Sequence, residues 1–290
     1  YYCIKIPSLL STINGTLLAF GEGRRLSCGD YTWTDLVYKR SFDNGLTWTD
    51  LKILYSNSSS STNFNVIGNA APVQDRNTGR IIIPFCRNNL EIWLITSDDD
   101  GNSWSIPTMI DGVVKKDWHW IGTGPPSSLQ LSNGRIITPS YHSPAPHDTD
   151  GEITHSHIMY SDDGGNTWNL GGMFPGPFLT NENQAIQFPN ETIYINARGL
   201  LTFRIQGLSN DNGESIYSDS VHKIPTLVEP LEGCEGSTIY HPKYNMVFYS
   251  GPNSISPLRY NMSLFTSSDY ANSWNFHSLI NNGRSAYSSL

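Results

Sequence analysis

Apolar residues along this chain fall in short runs, either alternating with polar residues or continuous, and helical spacing is nearly absent. Asp35-Leu-Val-Tyr38, Ile92-Trp-Leu-Ile95, His157-Ile-Met-Tyr160 and Met262-Ser-Leu-Phe265 are typical, and Gly, Pro, Asn and Ser separate such runs throughout. A period of two between breakers of that kind predicts short β-strands and no long helix. The expected fold class is all-β.

One turn recurs between the strands. Ser41-Phe-Asp43-Asn-Gly45-Leu-Thr47-Trp48 returns as Ser97-Asp-Asp99-Asp-Gly101-Asn-Ser103-Trp104 and as Ser161-Asp-Asp163-Gly-Gly165-Asn-Thr167-Trp168. Ser267-Ser-Asp269-Tyr-Ala271-Asn-Ser273-Trp274 puts Ala in place of Gly, and Ser209-Asn-Asp211-Asn-Gly213-Glu-Ser215-Ile216 lacks the Trp. The five copies start 56, 64, 48 and 58 residues apart, which is the length of one small β-sheet unit. Asp and Ser side chains can bond backbone N–H groups inside such a turn, Gly supplies the positive φ, and the Trp is large enough to fill a gap between sheets. An apolar or alternating run precedes each of the four copies that end in Trp, so each turn is expected to join two strands of one sheet. Radial repetition of four-stranded sheets is a β-propeller.

Composition narrows the partners. The 290 residues carry a formal charge of −8, which disfavours nucleic acid or an anionic membrane surface as the main partner. No continuous apolar stretch reaches membrane-spanning length, so no transmembrane helix is expected. The four cysteines (Cys3, Cys28, Cys86, Cys234) lack metal-site spacing, which leaves their pairing open and makes no case for zinc or another metal cofactor. The loop from Pro144 to Gly151 holds His147, Asp148 and Asp150 without ordered spacing, and reads as a loop and not a metal site. N-x-[ST] sequons at Asn14, Asn57, Asn190 and Asn261 suggest a secreted protein or one of the lysosomal or endomembrane lumen.

The opening strands, Ile4-Lys5-Ile6-Pro7 and Phe20-Gly-Glu22-Gly-Arg24, resemble the start of the exo-sialidase (neuraminidase) family, whose Asp-boxes the repeated turns also match. Further resemblances follow in family order: Trp118-His-Trp120-Ile-Gly-Thr-Gly124-Pro125, Asn181-Glu182-Asn-Gln184, and Glu229-Pro230 with Gly233-Cys234-Glu235-Gly236-Ser237. The resemblance covers essentially the whole chain. It implies one domain over residues 1–290, a six-bladed propeller with its active site at the mouth of the axis. With five boxes and 16 residues after Trp274, the last blade is expected to be incomplete and the chain truncated at its C-terminal side.

The resemblance also implies roles. Tyr287 is the nucleophile, Glu182 its partner, and Asp30 the acid/base, with Asp35 as the neighbouring alternative. Lys5, Arg198 and Arg259 form the cationic triad. Arg24, Asn69 and Tyr141 contact substrate, although a buried Tyr141 also suits a core position, and Arg87 suits either the mouth or the surface. No cofactor is implied.

These residue types suit a terminal sialic acid in glycoproteins, oligosaccharides or glycolipids. Guanidinium groups grip its carboxylate bidentately, and a neutral tyrosine hydroxyl approaches the anomeric carbon without anionic repulsion. The implied activity is that of a retaining exo-α-sialidase, a class in which the nucleophile is a tyrosine. Two departures stand out. Lys5 replaces the first triad arginine, and Pro126-Ser127 replaces the usual Gly-His after the third-blade motif. The alternative is therefore a weakly active or non-catalytic, lectin-like sialic-acid-binding propeller.

Overall fold

The computed structural model describes residues 1–57, 65–145 and 153–290, so His147, Asp148 and Asp150 lie outside the described residues. Antiparallel sheets follow one another along the chain. The first holds β1 (Cys3–Ser11), β2 (Leu17–Arg24), β3 (Thr34–Ser41) and β4 (Lys52–Tyr55). The second opens with two short pieces, β5 (Ile67–Gly68) and β6 (Val73–Gln74), both on β7 (Ile81–Arg87), followed by β8 (Glu91–Ser97) and β9 (Thr108–Met109). The third repeats that plan with β10 (Trp120–Thr123) and β11 (Leu129–Gln130) on β12 (Ile136–Ser143), then β13 (His155–Ser161) and β14 (Asn169–Met173). β15 (Thr180–Gln187), β16 (Ile193–Gly199), β17 (Phe203–Ser209) and β18 (His222–Val228) make the fourth. β19 (Ser237–His241), β20 (Met246–Pro252), β21 (Tyr260–Ser267) and β22 (Asn275–Arg284) make the fifth.

This is a five-bladed β-propeller, not the six-bladed one expected. Each box closes one sheet, joining its last two strands, and the five boxes account for the five sheets among the described residues. β1 pairs with β2 inside the first sheet and completes no other. Residues 285–290 form no strand; they cross between the fifth and first sheets, where Leu9 N–H donates to Ser289 Oγ (2.9 Å) and Leu290 N–H to Ser237 Oγ (3.0 Å).

The box turns work as their composition suggests. In the first, Gly45 N–H donates to Ser41 Oγ (2.9 Å) and Thr47 N–H to Asp43 Oδ1 (2.8 Å). The same pair of bonds occurs in the decayed copy at Gly213 and Ser215, so losing Trp leaves the turn intact. Burying the apolar runs explains their continuity. Ile81, Ile83 and Phe85 face the first sheet while Ile82 faces the third, because successive side chains of a strand point to opposite faces and both faces are covered.

Hydrophobic clusters fill the four junctions between consecutive sheets. Trp168 and Trp274 are buried in two of them and Trp104 packs against a third. Trp48 departs from that role. It is 37% exposed beside Leu51 and Ile53, because no such cluster among the described residues joins the fifth sheet to the first.

The third sheet carries a buried histidine couple. His142 Nδ1 and His157 Nδ1 lie 3.1 Å apart, and the Trp118 ring stacks on His142. Burial, with His155 and Lys115 nearby and Asp117 opposing, lowers His142 from 6.5 to about 4; burial and His142 drive His157 down as well. Both are neutral in the fold, so the unfolded chain gains protons first on acidification. Stability should be full above pH 6.5 and fall as the pH drops towards 4, by on the order of 2–3 kcal/mol from His142 alone. Urea melts at several pH values check this. His142→Phe should flatten that part of the profile; an unchanged slope would dismiss the couple as its cause.

Candidate active site

A cavity of about 210 Å³ draws its lining from all five sheets or the segments that follow them, which places it on the common axis. Lys5, Arg24, Asp30, Asn69, Tyr141, Glu182, Arg198, Arg259 and Tyr287 all line it. Asp30 reaches it from the loop between β2 and β3, and the others from near a strand end or a break in a strand. Asn69 sits with φ +55° just past β5, where the first strand of that sheet is interrupted. Tyr141 on β12 leans over Gly122, where a Cβ would come within 2.2 Å of its ring, so the close approach requires glycine.

Within the cavity lining the Tyr287 hydroxyl donates to Glu182 Oε1, and Arg198 Nη1 donates to Glu182 Oε2 (2.9 Å). Burial, reinforced by the Glu182 charge and opposed by Arg198, holds the Tyr287 hydroxyl well above its usual pKa, so it is protonated. Its backbone sits at φ +52°, an unusual conformation for a bulky residue. Neighbours brace it: Ser288 N–H donates to buried Glu235 (2.7 Å), and Ser288 Oγ lies 2.8 Å from Ser250 Oγ. The Arg259 guanidinium lies over the Tyr287 ring, 5.6 Å from its centroid, and donates to Gly233 O (3.2 Å).

Asp30 lines the cavity from an exposed loop. Arg24 Nη1 donates to its Oδ1 (2.6 Å), and the Lys5 ammonium lies 3.8 Å away. Partial desolvation works to raise the Asp30 pKa, but the Arg24 hydrogen bond and charge, with Lys5 and Arg259, hold it below the usual value.

Some expected contacts look different in three dimensions. Arg24 is buried and spends its fork on Glu22 (2.7 Å) and Asp30, so it orders the site's carboxylates more than it opens to a ligand. Asp35 is fully buried beneath Tyr1, Arg25 and Trp33 and is absent from the cavity lining. Arg87 stacks on Trp93 away from the site. Tyr141 is both core and lining, its hydroxyl 3.4 Å from Asn69 Nδ2.

Glu22, Tyr31, Asn89, Trp120 and Asn181 also line the cavity and escaped the sequence reading. Glu22, Trp120 and Asn181 stand inside family-like motifs, and Tyr31 directly follows Asp30, whereas Asn89 carried no signal. Glu22 is held by Arg24 and accepts the Asn69 N–H (3.1 Å); burial raises its pKa against the Arg24 charge. Among the described residues no cluster of His, Cys, Asp or Glu is placed to hold a metal ion.

Residues 15–290 match the family model described as a BNR repeat-like domain. The chain belongs to the BNR-repeat family of sialidases. It is 30% identical to mouse Sialidase-4 over 280 residues, covering 87% of this chain and 55% of that protein. It is 28% identical to a sialidase of Paraclostridium sordellii, over 81% of this chain and 62% of the relative. The chain thus spans between half and two thirds of the length of these curated relatives. Among solved structures, the Hadza microbial sialidase Hz136 superposes with a TM-score of 0.86 at 24% identity, over 97% of this chain and 59% of that one. Trypanosoma rangeli sialidase in complex with the inhibitor DANA superposes at 0.78 with 19% identity, over 99% of this chain and 50% of that one. At these identities the likeness speaks to the sialidase fold.

Proposed function

We propose that this sialidase-family propeller is a retaining exo-α-sialidase that releases terminal sialic acids from glycoproteins, oligosaccharides or glycolipids. The observation that carries the reading is the Tyr287–Glu182 hydrogen bond in a cavity that also holds Lys5, Arg198 and Arg259. Three cations are more than a neutral sugar needs, and they suit a ligand whose carboxylate sits on the reacting carbon. Tyr287 attacks that carbon as Glu182 takes its proton, forming a glycosyl-tyrosine intermediate. Arg198 keeps Glu182 oriented and is available to the sialate carboxylate. Asp30 protonates the departing glycosidic oxygen, then removes a proton from the water that frees the sugar. The arriving sialate puts an anion beside Asp30 and competes for Lys5, both of which raise the Asp30 pKa towards that of a working acid.

Lys5 favours the second reading, a weakly active or lectin-like site, because its ammonium is a point donor already engaged by Asp30 and by Cys28 O (3.3 Å). A fluorogenic sialoside assay run beside binding to sialyl-glycans separates the two readings: binding without turnover would leave the lectin. Lys5→Arg is expected to raise kcat/KM about ten-fold, the size of one added charge-assisted hydrogen bond. Equal or lower efficiency in the variant would mean that Lys5 does not hold the carboxylate. The Cys3–Cys28 disulfide and the sequons support a secreted or lumenal location, since such bonds persist in oxidising compartments.

A further inference from the structure

We propose that the Cys3–Cys28 disulfide is a positioning device for the general acid, tying the loop that carries Asp30 to strand β1. The inference rests on the acid/base reading of Asp30. Residues 25–31 are exposed without exception, and neither Leu26 nor Tyr31 buries an apolar anchor in the core. A loop of that kind orders only if something else offsets its conformational entropy.

The ties converge on Cys28. Its side chain is bonded to Cys3, 25 residues earlier, with the two Cα atoms 5.9 Å apart, within the usual span of such a bridge. Its carbonyl accepts from Arg24 Nη1 (2.7 Å) and from the Lys5 ammonium (3.3 Å). Those same two cations hold Asp30, two residues further on. Cys3 and Lys5 lie on one strand, opposite Arg24 and Glu22 on β2, so one strand pair supplies the covalent and the ionic anchors together. The Tyr31 ring touches Trp120 edge-on, with centroids 6.3 Å apart, as a further contact across the mouth.

The Lys5 tie is exchangeable, because a sialate carboxylate in the cavity draws on the same ammonium. The disulfide is not. During turnover it therefore keeps Asp30 within reach of the glycosidic oxygen while Lys5 turns to the substrate. Without it, Asp30 spends less time in the donating geometry, and the loss falls on the step that needs a proton. Sugar leaving groups need that proton far more than acidic phenols do.

The test compares kcat/KM for sialyllactose and for 4-methylumbelliferyl sialoside on the same sample, so the fraction of folded enzyme cancels in their ratio. Dithiothreitol opens the bond by thiol–disulfide exchange, leaving two protein thiols and its own cyclic disulfide; mass-tagging the new thiols verifies the opening. The sialyllactose-to-aryl ratio should fall about ten- to a hundred-fold on reduction, the size of a misplaced general acid. The double variant Cys3→Ser with Cys28→Ser should match it. Asp30→Asn should lower the ratio at least as far and make it insensitive to dithiothreitol. A proportional loss on both substrates, or no change with the bond shown to be open, would overturn the positioning role and leave a structural staple. If Asp30→Asn itself leaves the ratio unchanged, the acid assignment fails first and the inference falls with it.

Discussion

Replacing Tyr287 by Phe is expected to lower kcat for a sialoside by on the order of a thousand-fold or more, the scale of losing a covalent nucleophile. The Kd for a sialyl-glycan should stay within about three-fold, since the hydroxyl is spent on Glu182 and the carboxylate is left to the three cations. The ring remains to pack under Arg259, 5.6 Å from its guanidinium, so the fold should hold. Initial rates and calorimetric titration on the same preparation check both halves. Unchanged turnover would remove Tyr287 as nucleophile; lost binding would show that the hydroxyl or its Glu182 partner shapes the pocket as well.

Glu229→Leu should be among the most damaging changes to stability. Glu229 and Arg204 are both fully buried, with Arg204 Nη1 3.1 Å from Glu229 Oε2. Burial pushes the Glu229 carboxyl up while Arg204 and the Gly199 N–H pull it down. Arg204 also donates to Asn196 Oδ1 (2.6 Å) and Cys234 O (2.6 Å), and its guanidinium lies 5.5 Å from the Tyr249 ring centroid. Removing the carboxylate strands a buried cation, which costs about 3–5 kcal/mol. Turnover should fall beyond the loss of folded protein, because Glu229 Oε1 accepts the Gly199 N–H (2.7 Å) that fixes the strand end beside Arg198. Denaturant melts give the first number, and kcat/KM per folded molecule gives the second. A variant as stable as the wild type would show that the junction repacks around Arg204. The paired change with Arg204→Met should recover part of the stability, since replacing both partners leaves no orphaned charge.

The amino-acid sequence alone determined the all-β class and the sheet-closing turns, because each rests on local chemistry, whereas the candidate site residues came from family resemblance. A Ser, an Asp and a Gly at fixed offsets can bond only inside their own turn, so the box survives at Asp211 even without its Trp. Continuous runs such as Ile81-Ile-Ile83 marked strands covered on both faces. The number of sheets was not legible in that way. Box counting supplied five, and the sixth came from resemblance, whereas hydrogen-bond pairing puts β1 wholly within the first sheet. The exposure of Trp48 was equally hidden, because its sequence context matches that of Trp168 while its neighbouring sheet does not.

At the site, tertiary structure decided which like residues differ. Asp30 and Asp35 are five residues apart and similar in sequence terms, yet one faces the cavity and the other is sealed under Arg25. Arg24, Arg198 and Arg259 differ in their partners: Arg24 holds Glu22 and Asp30, Arg198 holds Glu182 and the Glu232 carbonyl, and Arg259 lies over the Tyr287 ring. The pairing of Cys3 with Cys28 could not be deduced from spacing, because it depends on how the β2–β3 loop folds back over β1. Local sequence specifies which groups can bond within a few residues. Which distant groups meet, and which are buried when they do, depends on the ring of sheets that brings them to one axis.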